Sequence, residues 1–264
     1  MGESQTQAPA SEFSGPESAR VHVGTSGWAY KVWQPAFYPE KLPQSKYLQH
    51  YATRLNTVEV NYTFRHLLAE KTIGNWLQQT PDTFKFVVKA NHRITHIKRL
   101  KDGDDALKAF VGSVSPLERA GRLGPILFQL PPNMKAVPEV LDAFLGKLPK
   151  ALKAAFEFRH ESWFGDESTQ VLRNHGAALC VAESDDFTTP EIHTGSFAYF
   201  RFRKSDYSKS DRDKAAERIE AAAAQGKDVF AFFKHEERPD SPLWAVEVLE
   251  TAAQSQRAEG KGQN

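Results

Sequence analysis

Short apolar runs, several of them alternating with polar residues at a period of two, are separated along the chain by longer amphipathic stretches. A period of two sends successive side chains to opposite faces of a strand, whereas apolar residues three and four apart line one face of a helix. Eight runs read as strands: Val21–Gly24, Thr57–Tyr62, Phe84–Ala90, Ile126–Leu130, Ala154–Phe158, Ala177–Ala182, Ala198–Phe202 and Val229–Phe233. Helical spacing follows most of them, at Gln44–Arg54, Lys71–Gln79, Asp104–Arg119, Pro138–Lys147, Ser168–Asn174, Asp211–Ala224 and Ser241–Ala252. Strands that alternate with helices of this length pair in parallel through helical crossovers. Eight such units predict an α/β fold of one domain, the (β/α)8 or TIM barrel. Between Glu183 and Ser196 the chain is rich in Asp, Thr, Pro and Gly, so the sixth crossover is expected to lack a regular helix.

The alternation also predicts which side chains fill the barrel. Val58, Val60 and Tyr62 alternate with Glu59, Asn61 and Thr63, and Phe84, Phe86 and Val88 with Lys85, Val87 and Lys89. Phe156 and Phe158 alternate with Glu157 and Arg159, as Phe200 and Phe202 do with Arg201 and Arg203. The large apolar set must meet the helices, so the polar set points into the lumen. Its members stand late in their strands, at the end where barrels of this type place their chemistry.

Composition sets the boundaries. A chain of 264 residues, 40% hydrophobic, is long enough to bury one substantial core. Residues 1–20 are rich in Ser, Gln, Glu, Pro and Gly, with Phe13 their one aromatic, and are expected to be a disordered tail without a signal-peptide core. The barrel is expected over residues 21–250, and residues 251–264 lose apolar periodicity and are expected to fray. No apolar stretch reaches the ~20 residues that span a bilayer, so no membrane partner is expected. Charge is nearly balanced, 34 basic against 33 acidic residues, which excludes a global polyanion-binding field and leaves only local basic patches. The lone cysteine, Cys180, excludes an intrachain disulfide, suits a cytoplasmic protein and reads as a buried structural thiol.

Several segments carry a family resemblance: Val-Gly-Thr-Ser-Gly-Trp at Val23–Trp28, Phe-Tyr-Pro at Phe37–Pro39, Thr-Val-Glu-Val-Asn at Thr57–Asn61 and Phe-Val-Val-Lys-Ala at Phe86–Ala90. Ile-Thr-His at Ile94–His96, Leu-Phe-Gln-Leu-Pro-Pro at Leu127–Pro132 and Glu-Phe-Arg-His-Glu-Ser-Trp at Glu157–Trp163 complete the set. Together they resemble the YecE-like family, domain of unknown function 72, over nearly everything from Val21 to Leu249. The resemblance implies a TIM barrel distantly akin to those of the xylose isomerase and endonuclease IV type, and it brings no established activity. Many members of the family carry His-Gly after the seventh strand and Asn-Asn-Asp after the eighth. This chain instead has Arg201-Phe202-Arg203-Lys204 and Phe233-Lys234-His235-Glu236 there, the second resembling a variant seen in part of the family.

The candidate chemistry gathers on the inward-facing set Glu59, Asn61, Lys89, Gln129, Glu157, Arg159 and Arg201. Buried charges are costly unless they are paired or bound to a ligand, and here the cations outnumber the carboxylates. That surplus suits a phosphate or carboxylate held by charge-assisted hydrogen bonds. The alternative is a self-satisfied ion network that merely fills the barrel top. The functional expectation is an enzyme with Glu59 or Glu157 as general acid or base and His96 as proton shuttle. Lys89, Arg159 and Arg201 would hold the anion, Asn61 and Gln129 would orient it, and Ser26 would position backbone or ligand. Trp28 and Trp163 would supply flat rings for stacking, or else pack a hydrophobic lid.

No organic cofactor is expected, since no GxGxxG or P-loop pattern is present. A divalent metal on Glu59, Glu157, Glu183, His96, His160 and His235 is an open alternative without a recognisable ligand spacing. The partner is expected to be a small anionic ligand or a nucleic acid. The basic stretch Asn91–Lys101 and the aromatic first loop favour the second, as a binding module without turnover, and a catalytically silent interaction scaffold is a further alternative. Oligomeric state is left open.

Overall fold

A computed structural model describes residues 20–234 and 237–261, so all but the last residue of the expected N-terminal tail lies outside the described residues. Eight parallel strands close in sequence order into one barrel. They are β1 (Val21–Ser26), β2 (Thr57–Val60), β3 (Lys85–Lys89), β4 (Leu123–Gln129), β5 (Ala154–Glu157), β6 (Ala178–Glu183), β7 (Phe197–Phe202) and β8 (Asp228–Phe233). The helices are α1 (Tyr47–Tyr51), α2 (Glu70–Gln79), α3 (Asp104–Arg119), α4 (Pro138–Leu145), α5 (Asp166–Asn174), α6 (Lys209–Ala224) and α7 (Asp240–Lys261). Closure runs through β8, whose Val229–Phe233 pair in register with Val21–Thr25 of β1. As the composition between Glu183 and Ser196 implies, β6 reaches β7 without a helix.

The alternation of each strand sorts its residues between two apolar layers. Phe86, Val88, Phe128, Phe156, Phe200 and Phe202 belong to the layer shared with the helices, as expected of Phe156 and Phe200 in particular. Val87, Leu127, Ala155, Cys180, Tyr199 and Phe232 form a separate cluster inside the barrel. Each fully buried Phe contributes roughly 1.5–3 kcal/mol by leaving water, so the outer layer fixes the rotation of every strand about its axis. The polar residues at strand ends face inward as a consequence. Cys180 is buried in the lumen, where desolvation pushes its thiol well above the ordinary range, in accord with a structural role.

Two local expectations change. Strand β2 stops at Val60, because Asn61 adopts a helical backbone and opens a 3₁₀ turn over Tyr62–Phe64. Alternation ends there: Tyr62 is 58% exposed rather than packed on helices, and Thr63 is buried beside the strands rather than in the lumen. Its hydroxyl donates to the carbonyls of Val60 and Lys89, at 2.8 and 2.6 Å, and ties the second loop to the end of β3. At the other end of the chain α7 runs past Ala252 to Lys261, so the last helix is longer than the expected Ser241–Ala252. No helix among the described residues is long and apolar enough to cross a membrane.

Candidate functional site

One guanidinium organises the barrel top. Arg201 lies on β7, is 2% exposed, and donates from Nη2 to Glu59 Oε1 of β2 at 2.7 Å and from Nη1 to Glu157 Oε2 of β5. The other lone pairs of both carboxylates are also engaged. Glu59 accepts from Ser26 Oγ at 2.7 Å and from the Tyr199 hydroxyl at 2.6 Å. Glu157 Oε1 accepts from Arg159 Nε at 2.9 Å, Gln129 Nε2 at 3.2 Å and Arg203 Nη1 at 3.3 Å. Five strand ends therefore meet in one network, which brings together Ser26, Glu59, Gln129, Glu157, Arg159 and Arg201 of the residues singled out in the sequence.

The charges tune one another. Burial alone would raise the Glu157 carboxyl, but Arg201, Arg159 and Arg203 together bring it down to about 2. Burial acts the same way on Glu59, and Arg201 with the Tyr199 and Ser26 hydroxyls outweighs it, so this carboxyl too is lowered. Lys89, at the end of β3, goes the other way: burial and the repulsion of Arg201 lower its ammonium to about 8 despite Glu157 and Glu59. Its Nζ sits 4.3 Å from the centre of the Phe64 ring, and among the described residues it has no hydrogen-bond or ion-pair partner. His96, on the π-helical turn Arg93–Ile97 after β3, is half-buried with its ring edge-on to Phe64. Burial and the neighbouring cations Lys89 and Arg159 lower its pKa, which keeps the imidazole neutral near pH 7.

Above the network lies a cavity of about 180 Å³, lined by Tyr30, Asn61, Phe64, Lys89, Gln129, Arg201, Arg203 and Lys234. Three lining residues carry a buried polar atom without a partner: Asn61 Oδ1, Arg201 Nε and Arg203 Nε. A larger cleft of about 480 Å³ lies where α3 meets Lys147 and Pro149, and none of its lining residues belongs to a strand. Tyr30 reaches the cavity through the turn at Gly27, whose φ of 94° suits only a residue without a side chain; a Cβ there would collide with the Tyr30 hydroxyl.

The two tryptophans expected at the ligand lie elsewhere. Trp163 is 1% exposed, stacks on Phe158 with ring centres 4.5 Å apart, and donates its Nε1 to the Met134 carbonyl at 2.8 Å. Trp28 packs edge-on against Trp76 of α2 at 5.2 Å. Both therefore belong to hydrophobic packing, the alternative that the sequence left open. Conversely, Arg203, Tyr199, Tyr30, Phe64 and Lys234 join the site without having been singled out. The alternation that marks Arg201 marks Tyr199 and Arg203 equally, whereas Tyr30, Phe64 and Lys234 are placed by loops whose course no periodicity encodes.

The metal alternative finds little to hold an ion. Among the described residues no three His, Cys, Asp or Glu side chains converge. Glu59 and Glu157 are committed to Arg201, Glu183 to Arg218 and Lys204, and His160 to Ser162, while His235 lies outside the described residues.

Comparison with known proteins gives a consistent picture. A family model described as "Protein of unknown function DUF72" matches residues 22–263. The UPF0759 protein YunF of Bacillus subtilis is 30% identical over 191 residues, which are 67% of this chain and 63% of that protein. The UPF0759 protein YecE of Escherichia coli K12 is 30% identical over 159 residues, 59% of this chain and 54% of that one. The matched regions thus span less than two thirds of either curated relative. A solved structure of a DUF72 family protein from Thermotoga maritima superposes with a TM-score of 0.77 at 28% identity, covering 88% of this chain and 98% of the other. A second, from Enterococcus faecalis, gives 0.70 at 18% identity, covers 89% of this chain and 99% of the other, and shows the same fold.

Proposed function

The chain belongs to the DUF72 family of proteins of unknown function, and we propose that its barrel is an enzyme that binds a small phosphate- or carboxylate-bearing compound in the cavity over Arg201. The observation that carries this reading is the set of unpartnered atoms, two guanidinium N–H donors and one amide oxygen, on residues that line a single cavity. A buried polar group left unpaired is worth roughly 1–3 kcal/mol of penalty; anionic ligand oxygens would remove it at the two guanidinium donors, and a hydroxyl or N–H of the same ligand would remove it at the Asn61 oxygen. Lys89, Arg159, Arg201 and Arg203 meet two carboxylates, so the added negative charge also balances the network. The cavity is small for a drug-sized ligand, for which sites run from ~300 Å³ upward, and suits an anionic group with a few further atoms.

The same geometry reassigns the carboxylates. A general base works best with a pKa near the operating pH; Glu157 at about 2, tied to three guanidiniums, is a counter-ion, and Glu59 beside it serves the same end. Ser26, Tyr199, Glu59 and Glu157 hold Arg201 in place, Arg203 and Lys89 contact the anion, and Asn61 and Gln129 orient the rest. His96, neutral and on the rim, is the candidate proton carrier.

A second reading has its own observation. Tyr62, Leu67, Ile97 and Val32 are exposed on the first three loops of the same face, among Arg65, Arg93, Lys98, Arg99 and Lys101. Exposed aromatic and basic groups together suit a single-stranded nucleic acid. Thermal melts separate the two. Millimolar phosphate or sulfate should raise the Tm of the wild-type protein through mass action, and Arg203→Met should abolish the shift. An absence of any shift would overturn the first reading, and oligonucleotide binding that falls steeply with salt would establish the second.

A further inference from the structure

Lys89 is a different kind of group from the cations around it. Arg159, Arg201 and Arg203 are guanidiniums already joined to carboxylates, suited to hold an anion and unable to give up a proton at physiological pH. Lys89 is the one amine among them with no carboxylate within ion-pair distance and no hydrogen bond among the described residues. Its stem rises from the C-terminal end of β3 into the cavity, its Nζ rests on the Phe64 ring, and Tyr30 lines the same space. Thr63, bonded to the Lys89 carbonyl, and His92 Nδ1, 2.9 Å from the Phe64 carbonyl, fix the ring and the lysine relative to each other.

We propose that Lys89 is a nucleophilic lysine that forms an imine with a small aldehyde or ketone whose carboxylate or phosphate is held by Arg203 and Arg201. The inference deepens the anion-binding reading and rests on it. An amine desolvated beside other cations is the known physical route to a reactive lysine. With its pKa lowered to about 8 by burial and by Arg201, the neutral fraction of Lys89 at pH 7 exceeds that of an ordinary lysine by about two orders of magnitude.

The step balances with what the site and solvent supply. The neutral amine's lone pair attacks the carbonyl carbon while the carbonyl oxygen takes a proton, giving a carbinolamine once the nitrogen has lost one. A second proton on that hydroxyl lets it leave as water, and the nitrogen lone pair closes the carbon–nitrogen double bond. The product is a protonated imine between Nζ and the substrate carbon, with one water released and no oxidant or reductant consumed. Arg201 and Arg203 line the same cavity as Lys89 and Phe64, so a substrate whose anionic end they hold can present its carbonyl to the amine.

The test is reductive trapping of the intact protein with glyoxylate, glycolaldehyde phosphate or neutral glycolaldehyde in the presence of cyanoborohydride, followed by peptide mapping. Lys89 should be modified at least about tenfold faster than any other lysine by one or both anionic aldehydes, in keeping with its larger neutral fraction. The faster of the two identifies the anion as carboxylate or phosphate, and neutral glycolaldehyde should show no such preference. Inorganic phosphate should protect Lys89, and Lys89→Arg should lose the adduct. Modification spread over surface lysines, in a protein that phosphate still stabilises, would overturn the imine and leave the anion site standing. Absence of both stabilisation and protection would overturn the anion site itself.

Discussion

Replacing Arg201 with Met should separate the two carboxylates it joins, because their remaining partners differ. Glu157 keeps Arg159 at 2.9 Å and Arg203 at 3.3 Å, so its charge stays compensated. Glu59, fully buried, keeps only the Ser26 and Tyr199 hydroxyls as hydrogen-bond donors. Removing one partner of a buried ion pair costs roughly 3–5 kcal/mol, and with one of the two carboxylates rescued the expected loss is one such penalty. For a chain of this size each kcal/mol moves Tm by roughly 2–4 °C, so Tm should fall by about 10 °C.

The pH dependence should change sign as well. In the wild type the lowered carboxyls stabilise the fold above their unfolded values, and that contribution is lost as pH falls toward about 2. In Arg201→Met, burial pushes the Glu59 carboxyl above its unfolded value, so the folded state binds the proton more tightly and stability falls as pH rises between those two values. Urea titrations at about pH 5 and pH 7 read both effects, and Glu59→Gln added to Arg201→Met should recover most of the loss at neutral pH. A loss under about 1 kcal/mol, the ordinary effect of a random substitution, or an unchanged pH slope would refute the reasoning.

Trp163→Phe should lower stability by roughly 1–3 kcal/mol through the stranded Met134 carbonyl, measured by urea titration, with no change in the phosphate-induced Tm shift because the ring lies in the packing and not in the cavity. Cys180, buried in the lumen with its thiol pushed up, should resist thiol reagents in native buffer and label only as fast as the protein opens, a rate that mass spectrometry follows.

Strand periodicity carried most of the fold and the centre of the site. Phe156 and Phe200 point to the helices because the alternation leaves them no other place, and Glu157 and Arg201 are thereby turned inward to meet. The same alternation contained Arg203 two residues on. What it did not contain is the loop geometry. Tyr62 escapes the pattern because Asn61 turns helical, and Tyr30 enters the cavity because Gly27 can take a positive φ. Nor does residue type reveal saturation: Glu59 and Glu157 have the chemistry of acid–base groups, and only the structure reveals that three and four side chains, respectively, already bond to them. The tryptophans mislead for the complementary reason, since an aromatic ring beside a pocket in sequence can as readily be the wall behind it.

The central claim, that the cavity over Arg201 binds a small anion, is tested most directly by a crystal of the wild-type protein soaked in selenate and examined by anomalous scattering. The account predicts a peak inside the cavity, within hydrogen-bonding distance of Arg203 and Lys89, that disappears in Arg203→Met crystals treated alike. Peaks confined to the outer surface, or an unaltered cavity peak in the variant, would contradict it.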